Sequence, residues 1–223
     1  MVVPAGGEGR RFGGVAKPFA LLAGRPLLQH AIGPFLERTD VQSVIVALPG
    51  PIAADPPAWL LDYDRRITLV KGGAERFDSV LRGIEAVSES IDIIIVHDAA
   101  RPLVTAAIVE RVLVAARSGG GAIAAIPMVD TVHELNGKGR IVATPPRERL
   151  RAAQTPQAFR RAVLVDACRR AVADGLRGTD EAAVVSRYGG DVTAVDGSSD
   201  NIKVTVPSDL LVAEALLAAR GNT

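Results

Sequence analysis

The sequence predicts an α/β fold, in which a mainly parallel, Rossmann-like sheet is flanked by helices. Three observations lead to this prediction. Continuous apolar runs such as Ser43–Leu48 are typical of buried parallel strands. These runs alternate with helical patterns, as βαβ units require. A single hairpin pattern interrupts the alternation near residue 135. Without an internal repeat or a linker, the 223 residues are expected to form one domain, 1–223.

The strands and helices are expected in alternating order along this domain. The strongest strand is Asp92–His97, because its centre is β-branched throughout. Residues 51–57 are expected to form a loop, and Gln157–Ala173 a long helix. The other expected strands are 2–3, Ile67–Val70, Gly121–Ile126 and Val192–Val195. The other expected helices are 27–32, Glu75–Glu89, a helix with Ile108, Val112 and Ala115 on one face, a helix that starts at Thr179–Glu181, and 207–220.

Residues 131–144 break this rhythm. Thr131–Leu135 and Arg140–Thr144 flank Asn136–Gly139, a turn sequence typical of a β-hairpin. We expect an arm of about residues 130–150 that projects from the sheet. The alternative, an isolated surface hairpin, is less favoured because a two-stranded ribbon is only marginally stable alone.

Composition excludes several classes of function. The net charge is only +1, so we expect neither a nucleic-acid partner nor an acidic membrane partner. Cys168 is the sole cysteine, which rules out an internal disulfide and indicates a reducing, cytoplasmic setting. Cys168 lies in an apolar helical pattern and is interpreted as a packing residue. No apolar run is long enough to span a bilayer, and no signal peptide is expected.

The opening loop is suited to binding phosphate. Glycines after the first strand let a ligand approach the backbone N–H groups, and Arg10, Arg11 and Lys17 add positive charge. The loop fits neither the dinucleotide fingerprint, because Phe12 occupies the last glycine position, nor the P-loop, because Pro18 follows the lysine. An ordinary glycine-rich turn with solvated arginines remains the alternative at this point.

Three further polar clusters follow predicted strands. Ligands of open α/β sheets bind at the carboxyl ends of strands, so clusters at that edge are expected to converge. Asp98 is placed to bind Mg²⁺ beside phosphates, or to cap a helix, with Asp200 a weaker second carboxylate. Lys203 either extends to water or stabilises a transferring phosphoryl group. The clusters are 72–79, 97–102 and 200–203.

Other residues near these clusters receive structural interpretations. His97 matches no metal-binding spacing and is interpreted as structural. Arg76 and Asp78 are interpreted as a surface ion pair that contributes little to stability. Ser79 together with the Gly73 backbone is placed to recognise a base edge. The chain contains no G-x-S-x-G nucleophile elbow, which argues against hydrolase chemistry.

Six ordered motifs together resemble one enzyme family over essentially the whole chain. They are Pro4–Arg11, Gly72–Val80, His97–Pro102, Gln154–Gln157, Thr179–Ala182 and Asn201–Thr205. In this order the sequence closely resembles the 2-C-methyl-D-erythritol 4-phosphate cytidylyltransferase family of the non-mevalonate isoprenoid pathway.

The resemblance implies a nucleotidyltransferase fold and a reaction of CTP with methylerythritol phosphate that releases pyrophosphate. It also implies that the arm dimerises the protein and brings Thr131 and Arg147 into the neighbouring protomer's site. The implied residue roles are these: Arg11, Lys17 and Lys203 act on the phosphates, Asp98 binds Mg²⁺, Ala5, Gly6, Gly73, Ala74 and Ser79 line the cytosine pocket, and Thr131, Arg147 and Thr179 bind methylerythritol phosphate.

The chain departs from the family pattern at three positions. Gly6 stands where the family usually has Ala, so one base contact involves backbone only. Pro18 follows Lys17 instead of preceding it, and the loop is one residue shorter, which weakens the assignment of Lys17. His133 replaces a common Lys. Ribitol 5-phosphate cytidylyltransferase, a hexose-1-phosphate nucleotidyltransferase and a non-catalytic nucleotide-binding regulator remain the alternatives.

Overall fold

A seven-stranded sheet forms the centre of the computed structural model, which describes residues 1–6 and 16–221. Its strand order is β11-β7-β10-β6-β1-β4-β5. The strands are β1 Val2–Pro4, β2 Leu21–Leu22, β3 Arg25–Pro26, β4 Val44–Leu48, β5 Ile67–Lys71, β6 Ile93–Val96, β7 Gly121–Pro127, β8 Glu134–Leu135, β9 Ile141–Ala143, β10 Arg151–Arg160 and β11 Val192–Asp196.

Helices cover both faces of this sheet. They are α1 Leu27–Leu36, α2 Gly50–Ala54, α3 Ala58–Leu61, α4 Arg76–Glu85, α5 Ala106–Ser118, α6 Arg161–Ala173, α7 Glu181–Arg187 and α8 Ser208–Gly221. One core joins Phe35 of α1 and Val112 of α5 to the sheet, and a second core joins Val80 of α4 and Leu164 of α6 to the other face. The α/β prediction is therefore confirmed.

Strand β10 is antiparallel to both of its neighbours, β6 and β7, whereas every other pair in the described sheet is parallel. The predicted helix Gln157–Ala173 is wrong at its start, because Gln157–Arg160 belongs to β10 and the helix begins at Arg161. Ala158 pairs with Ile95, and Phe159 with Ile94, and all four side chains are buried. Burial against β6 therefore overrides a local pattern that also suits a helix.

Two shorter segments also differ from the sequence prediction. Residues 51–54 of the predicted loop belong to α2, and Pro51 lies in the first turn of that helix, where proline is tolerated. Lys203 does not lie in a strand of the sheet. Instead, its segment is held beside the Asp98 loop by a hydrogen bond of 2.8 Å from the Val204 N–H to the Ala100 carbonyl oxygen.

The predicted hairpin is present as β8 and β9, which form a separate two-stranded sheet. Asn136 stabilises the turn, because its side-chain oxygen accepts from the backbone N–H groups of Lys138 and Arg140. Three apolar side chains of the described arm are exposed, namely Leu135, Ile141 and Val142, as is Val129 at its base. Within residues 1–6 and 16–221, no helix combines the length and apolar character needed to cross a bilayer.

Candidate active site

A cavity of about 800 Å³ opens at the carboxyl ends of β1, β4, β5 and β6. This is the sheet edge at which ligands of open α/β folds bind. The structure thus brings together residues from well-separated parts of the sequence. Eight of the predicted site residues line the cavity: Ala5, Gly6, Lys17, Gly73, Ala74, Ser79, Asp98 and Lys203.

Close packing of glycine backbone shapes one wall of the cavity. The Gly73 N–H donates to Ser79 Oγ at 3.2 Å, and Ser79 Oγ donates to the Glu75 carbonyl oxygen at 3.1 Å. A Cβ atom on Gly73 would collide with Asp78, so any larger residue would displace the start of α4. Ser79 is buried and already engaged, which makes it a fixed part of this wall.

Asp98 lies at the centre of the charged part of the cavity. Its Oδ1 accepts from Arg76 Nε at 2.9 Å, and its Oδ2 accepts from Lys203 Nζ at 2.8 Å. Burial alone would raise the pKa of Asp98, but the charges of Arg76 and Lys203 outweigh burial and hold that pKa far below its usual range. Asp98 is therefore ionised at neutral pH, with a cation on each oxygen.

Arg76 does not form the weak surface ion pair with Asp78 that the sequence suggested. Its two terminal nitrogens donate to the carboxylate of Glu181, Nη1 to Oε1 at 2.7 Å and Nη2 to Oε2 at 3.0 Å. The Glu181 side chain is completely buried, and burial raises its pKa while Arg76 opposes that shift. Arg76 thus joins two carboxylates, and the exposed-pair interpretation was wrong because Glu181 lies far away in sequence.

A second network holds the backbone of Asp98. The Asp98 N–H donates to Thr155 Oγ1 at 3.0 Å, and Thr155 Oγ1 lies 3.0 Å from His97 Nδ1. His97 Nε2 lies 3.1 Å from the Arg101 carbonyl oxygen, which can only accept, so Nε2 carries the proton and Nδ1 accepts from Thr155. Burial lowers the pKa of His97 to about 4, so the ring is neutral and structural.

The segment that carries Lys203 is anchored on β10. The buried Asn201 donates through Nδ2 to the Thr155 carbonyl oxygen at 2.9 Å. Gln154 Nε2 donates to the Ser198 carbonyl oxygen at 2.8 Å, and Gln154 Oε1 accepts from the Ser198 N–H at 3.3 Å. Strand β10 therefore fixes both the Asp98 loop and the Lys203 segment, a connection that no local sequence pattern indicates.

The residues expected to bind methylerythritol phosphate do not line this cavity in the single chain. Thr131, Arg147 and Thr179 are exposed, and Arg147 Nη1 donates to the Val129 carbonyl oxygen at the base of the arm. Thr179 nevertheless lies two residues from Glu181. Arg11 falls outside the described residues, as does Arg10.

Asp98 is the candidate ligand for Mg²⁺ among the described residues. Within the described ranges no group of three or more His, Cys, Asp or Glu side chains is placed to hold a metal. Mg²⁺ is often bound by one or two carboxylates together with substrate phosphates, so the single Asp98 fits a metal that arrives with a triphosphate. Asp200 does not line the cavity and lies 4.0 Å from Arg220, so it does not supply the second carboxylate here.

Sequence reasoning missed three residues of this site: Glu181, Thr155 and Lys71. The first two lay within motifs but carried no assigned role. Lys71 ends β5 and lines the cavity mouth, where its side chain packs over Gly50. The sequence signal that could have identified Lys71 is its position at a strand end, directly before Gly72 and Gly73.

Comparisons with known proteins agree with this geometry. The family model described as 2-C-methyl-D-erythritol 4-phosphate cytidylyltransferase matches residues 1–219. The relative of that name from Frankia casuarinae is 43% identical over 97% of this chain and 80% of its own length. The relative from Symbiobacterium thermophilum is 42% identical over 97% of this chain and 92% of its own length.

Solved structures give the same result. The crystal structure of 2-C-methyl-D-erythritol 4-phosphate cytidylyltransferase from Thermus thermophilus matches with a TM-score of 0.81 and 36% identity, over 98% of each chain. The sequence, the sheet and the cavity thus agree with one another. The chain belongs to the 2-C-methyl-D-erythritol 4-phosphate cytidylyltransferase family.

Proposed function

We propose that the chain transfers the cytidylyl group of CTP to 2-C-methyl-D-erythritol 4-phosphate and releases pyrophosphate. The observation that carries this proposal is the convergence of Lys17, Asp98 and Lys203 on one cavity with a glycine-lined wall. An oxygen of the acceptor phosphate attacks the α-phosphorus of CTP in line, and the bond from that phosphorus to the β-phosphate oxygen breaks. Positioning and charge stabilisation supply most of the catalysis.

The glycine-lined wall suits the cytosine base. Ala5, Gly6, Gly73 and Ala74 have small side chains or none, so a flat ring can lie against their backbone. Ser79 keeps the Gly73 backbone in place through its hydrogen bond. We assign the base to this wall, which leaves the charged end of the cavity to the triphosphate.

Lys203 and Lys17 act on the phosphates in this proposal, together with Arg11. The ammonium of Lys203 lies 2.8 Å from Asp98 Oδ2, and its side chain is 39% exposed, so it can turn from Asp98 to a bound phosphate. That movement frees a carboxylate oxygen as the anionic ligand arrives. Asp98 is then the residue that holds Mg²⁺, which when bound neutralises charge on the phosphate oxygens.

The acceptor side requires a second copy of the chain in this proposal. In this proposal Thr179, two residues before Glu181 in the sequence, contributes to the site of its own chain, whereas Thr131 and Arg147 are carried by the arm. The exposed apolar side chains Leu135, Ile141 and Val142 on the arm support a homodimer, because an unpartnered two-stranded ribbon is marginally stable. We place the dimer in the cytoplasm, because a chain with a single, buried cysteine has no internal disulfide that would need an oxidising compartment.

The test is a pyrophosphate-release assay that crosses four nucleoside triphosphates with three acceptors. We expect release with CTP and methylerythritol phosphate and little with UTP, GTP or ATP. Preference for ribitol 5-phosphate would favour the corresponding cytidylyltransferase, and preference for hexose 1-phosphates with another base would favour that enzyme class. CTP binding without pyrophosphate release under all conditions would contradict the proposed activity and indicate a regulator.

A further inference from the structure

The guanidinium of Arg76 is shared unequally between two carboxylates. Both terminal nitrogens donate to Glu181, at 2.7 and 3.0 Å, whereas only Nε donates to Asp98, at 2.9 Å. Asp98 Oδ2 consequently faces Lys203 instead of Arg76. An arginine that meets a single carboxylate commonly forms a two-bond fork with it. Here Glu181 occupies the edge of the guanidinium that would complete such a fork with Asp98.

Glu181 is fixed firmly enough to act as a restraint. It is the first residue of α7, and Asp180 caps that helix by accepting from the Ala183 N–H at 2.8 Å. Gln157 on β10 accepts from the Ala182 N–H at 3.0 Å and donates to Asp180 Oδ2 at 2.9 Å. The carboxylate of Glu181 therefore stands on a helix start that is bound to the central sheet.

We propose that Glu181 is a positioning residue for the proposed reaction, because it restrains Arg76 to one oxygen of Asp98 and leaves the other oxygen directed at Lys203 and the cavity. Without that restraint, Arg76 would turn and take both oxygens. Lys203 would lose its partner, and Asp98 would have no oxygen left for a metal. The Glu181 side chain is completely buried, so its proposed role is exerted through Arg76 and not by contact with the substrates.

The simpler alternative is that Glu181 only neutralises the buried charge of Arg76 and stabilises the fold. A double variant separates the two ideas. Arg76→Met with Glu181→Gln removes both members of the pair, so no guanidinium remains to compete for Asp98. Replacing both charged partners avoids the uncompensated buried charge that removing only one partner leaves behind.

The experiment compares E181Q, the double variant R76M/E181Q and the control R177A. Arg177 lies four residues before Glu181 and donates to Asp78 on α4, so it also links the segment that leads into α7 to α4. Arg177 does not contact Asp98. For E181Q we expect the kcat of pyrophosphate release to fall about 30-fold, with the KM for CTP changed by less than about threefold. For the double variant we expect kcat to recover about fivefold or more over that of E181Q. R177A is expected to stay within about twofold of the wild type.

A crystal structure of E181Q supplies a measurement that does not depend on activity. We expect Arg76 nitrogens within about 3.2 Å of both Asp98 oxygens, and Lys203 Nζ more than about 4 Å from Asp98. The proposal fails if Arg76 still bonds Oδ1 alone, if E181Q lowers only the melting temperature, if the double variant is slower than E181Q, or if R177A loses as much kcat as E181Q.

The proposal rests on the proposed function only for its kinetic readout. If the wild type releases no pyrophosphate, the proposed function fails, and the E181Q structure still decides the position of Arg76. If E181Q does not fold, the double variant alone decides: retention of kcat within about tenfold of the wild type supports the restraint, and a loss of about a hundredfold or more overturns it.

Discussion

Replacing Asp98 by Asn tests the charged centre of the cavity most sharply among single substitutions. The change keeps the size of the side chain and removes its charge. In the native site each carboxylate oxygen accepts from a cation, Oδ1 from Arg76 and Oδ2 from Lys203. An amide offers one acceptor oxygen, and its NH₂ group faces a donor on the other side, so one of these two hydrogen bonds must be lost.

The loss of stability is expected to be moderate. Arg76 keeps both hydrogen bonds to Glu181, so its charge stays neutralised, and Lys203 is 39% exposed and can be hydrated. A hydrogen bond to a charged group contributes about 1.5–3 kcal/mol, and we expect Asp98→Asn to lower the free energy of unfolding by about 2 kcal/mol. For a chain of this length, that corresponds to a fall of about 4–8 °C in Tm.

The loss of activity is expected to be much larger. Removing one preorganised electrostatic contact from an active site commonly lowers kcat by about 10²–10³-fold, and Asp98 orients Lys203 as well. The measurements are Tm by calorimetry and kcat by pyrophosphate release. The control is Asp166→Asn, since Asp166 is exposed and lies 3.8 Å from Arg170, and it should change neither value measurably. A normal kcat for Asp98→Asn would refute the role given to this carboxylate.

The remaining predictions concern separate parts of the chain. Gly73→Ala should raise the KM for CTP by about tenfold or more because its Cβ collides with Asp78; an unchanged KM would remove this wall from the nucleotide site. Arg147→Ala should raise the KM for methylerythritol phosphate more than that for CTP, and the reverse order would contradict its assignment. Ile141→Asp should shift the protein from dimer to monomer in sedimentation; a dimer that persists would exclude the arm as its interface. Cys168 should not react with a thiol reagent in the native state at about pH 8, because burial raises its pKa to about 12, and rapid native labelling would contradict this packing.

Much of the fold followed from local patterns. The β-branched run around Ile93–Val96 and the continuous apolar run Val44–Leu48 identified two central strands within a residue of their observed bounds. Strand β10 could not be found in this way. The β6 partners of Ala158 and Phe159 lie more than 60 residues earlier in the sequence, and their β7 partners lie more than 35 residues earlier. The burial of both residues therefore depends on pairings that no short window contains.

The candidate site shows the same division between local and long-range information. The edge rule for open α/β sheets accounts for Gly73 and Asp98, which follow β5 and β6 and line one cavity. Lys203 lines the same cavity, but its segment is held there by hydrogen bonds to Thr155 and Ala100 and not by the end of a strand. The role of Glu181 depends on Arg76, 105 positions earlier, and on complete burial. Thr131 and Arg147 lie outside the cavity of the single chain, so their assignment to the site stays a prediction that depends on the dimer.

The central claim is that Lys203 and a magnesium ion held by Asp98 act together on the phosphates of bound CTP. A crystal structure of the wild-type protein with CTP and Mg²⁺ measures this directly. The account predicts that the cytosine lies against the Gly73 wall, that Lys203 Nζ has moved onto a phosphate oxygen, and that the metal contacts Asp98. A triphosphate bound elsewhere, or a Lys203 that remains on Asp98 and away from every phosphate oxygen, would contradict the account.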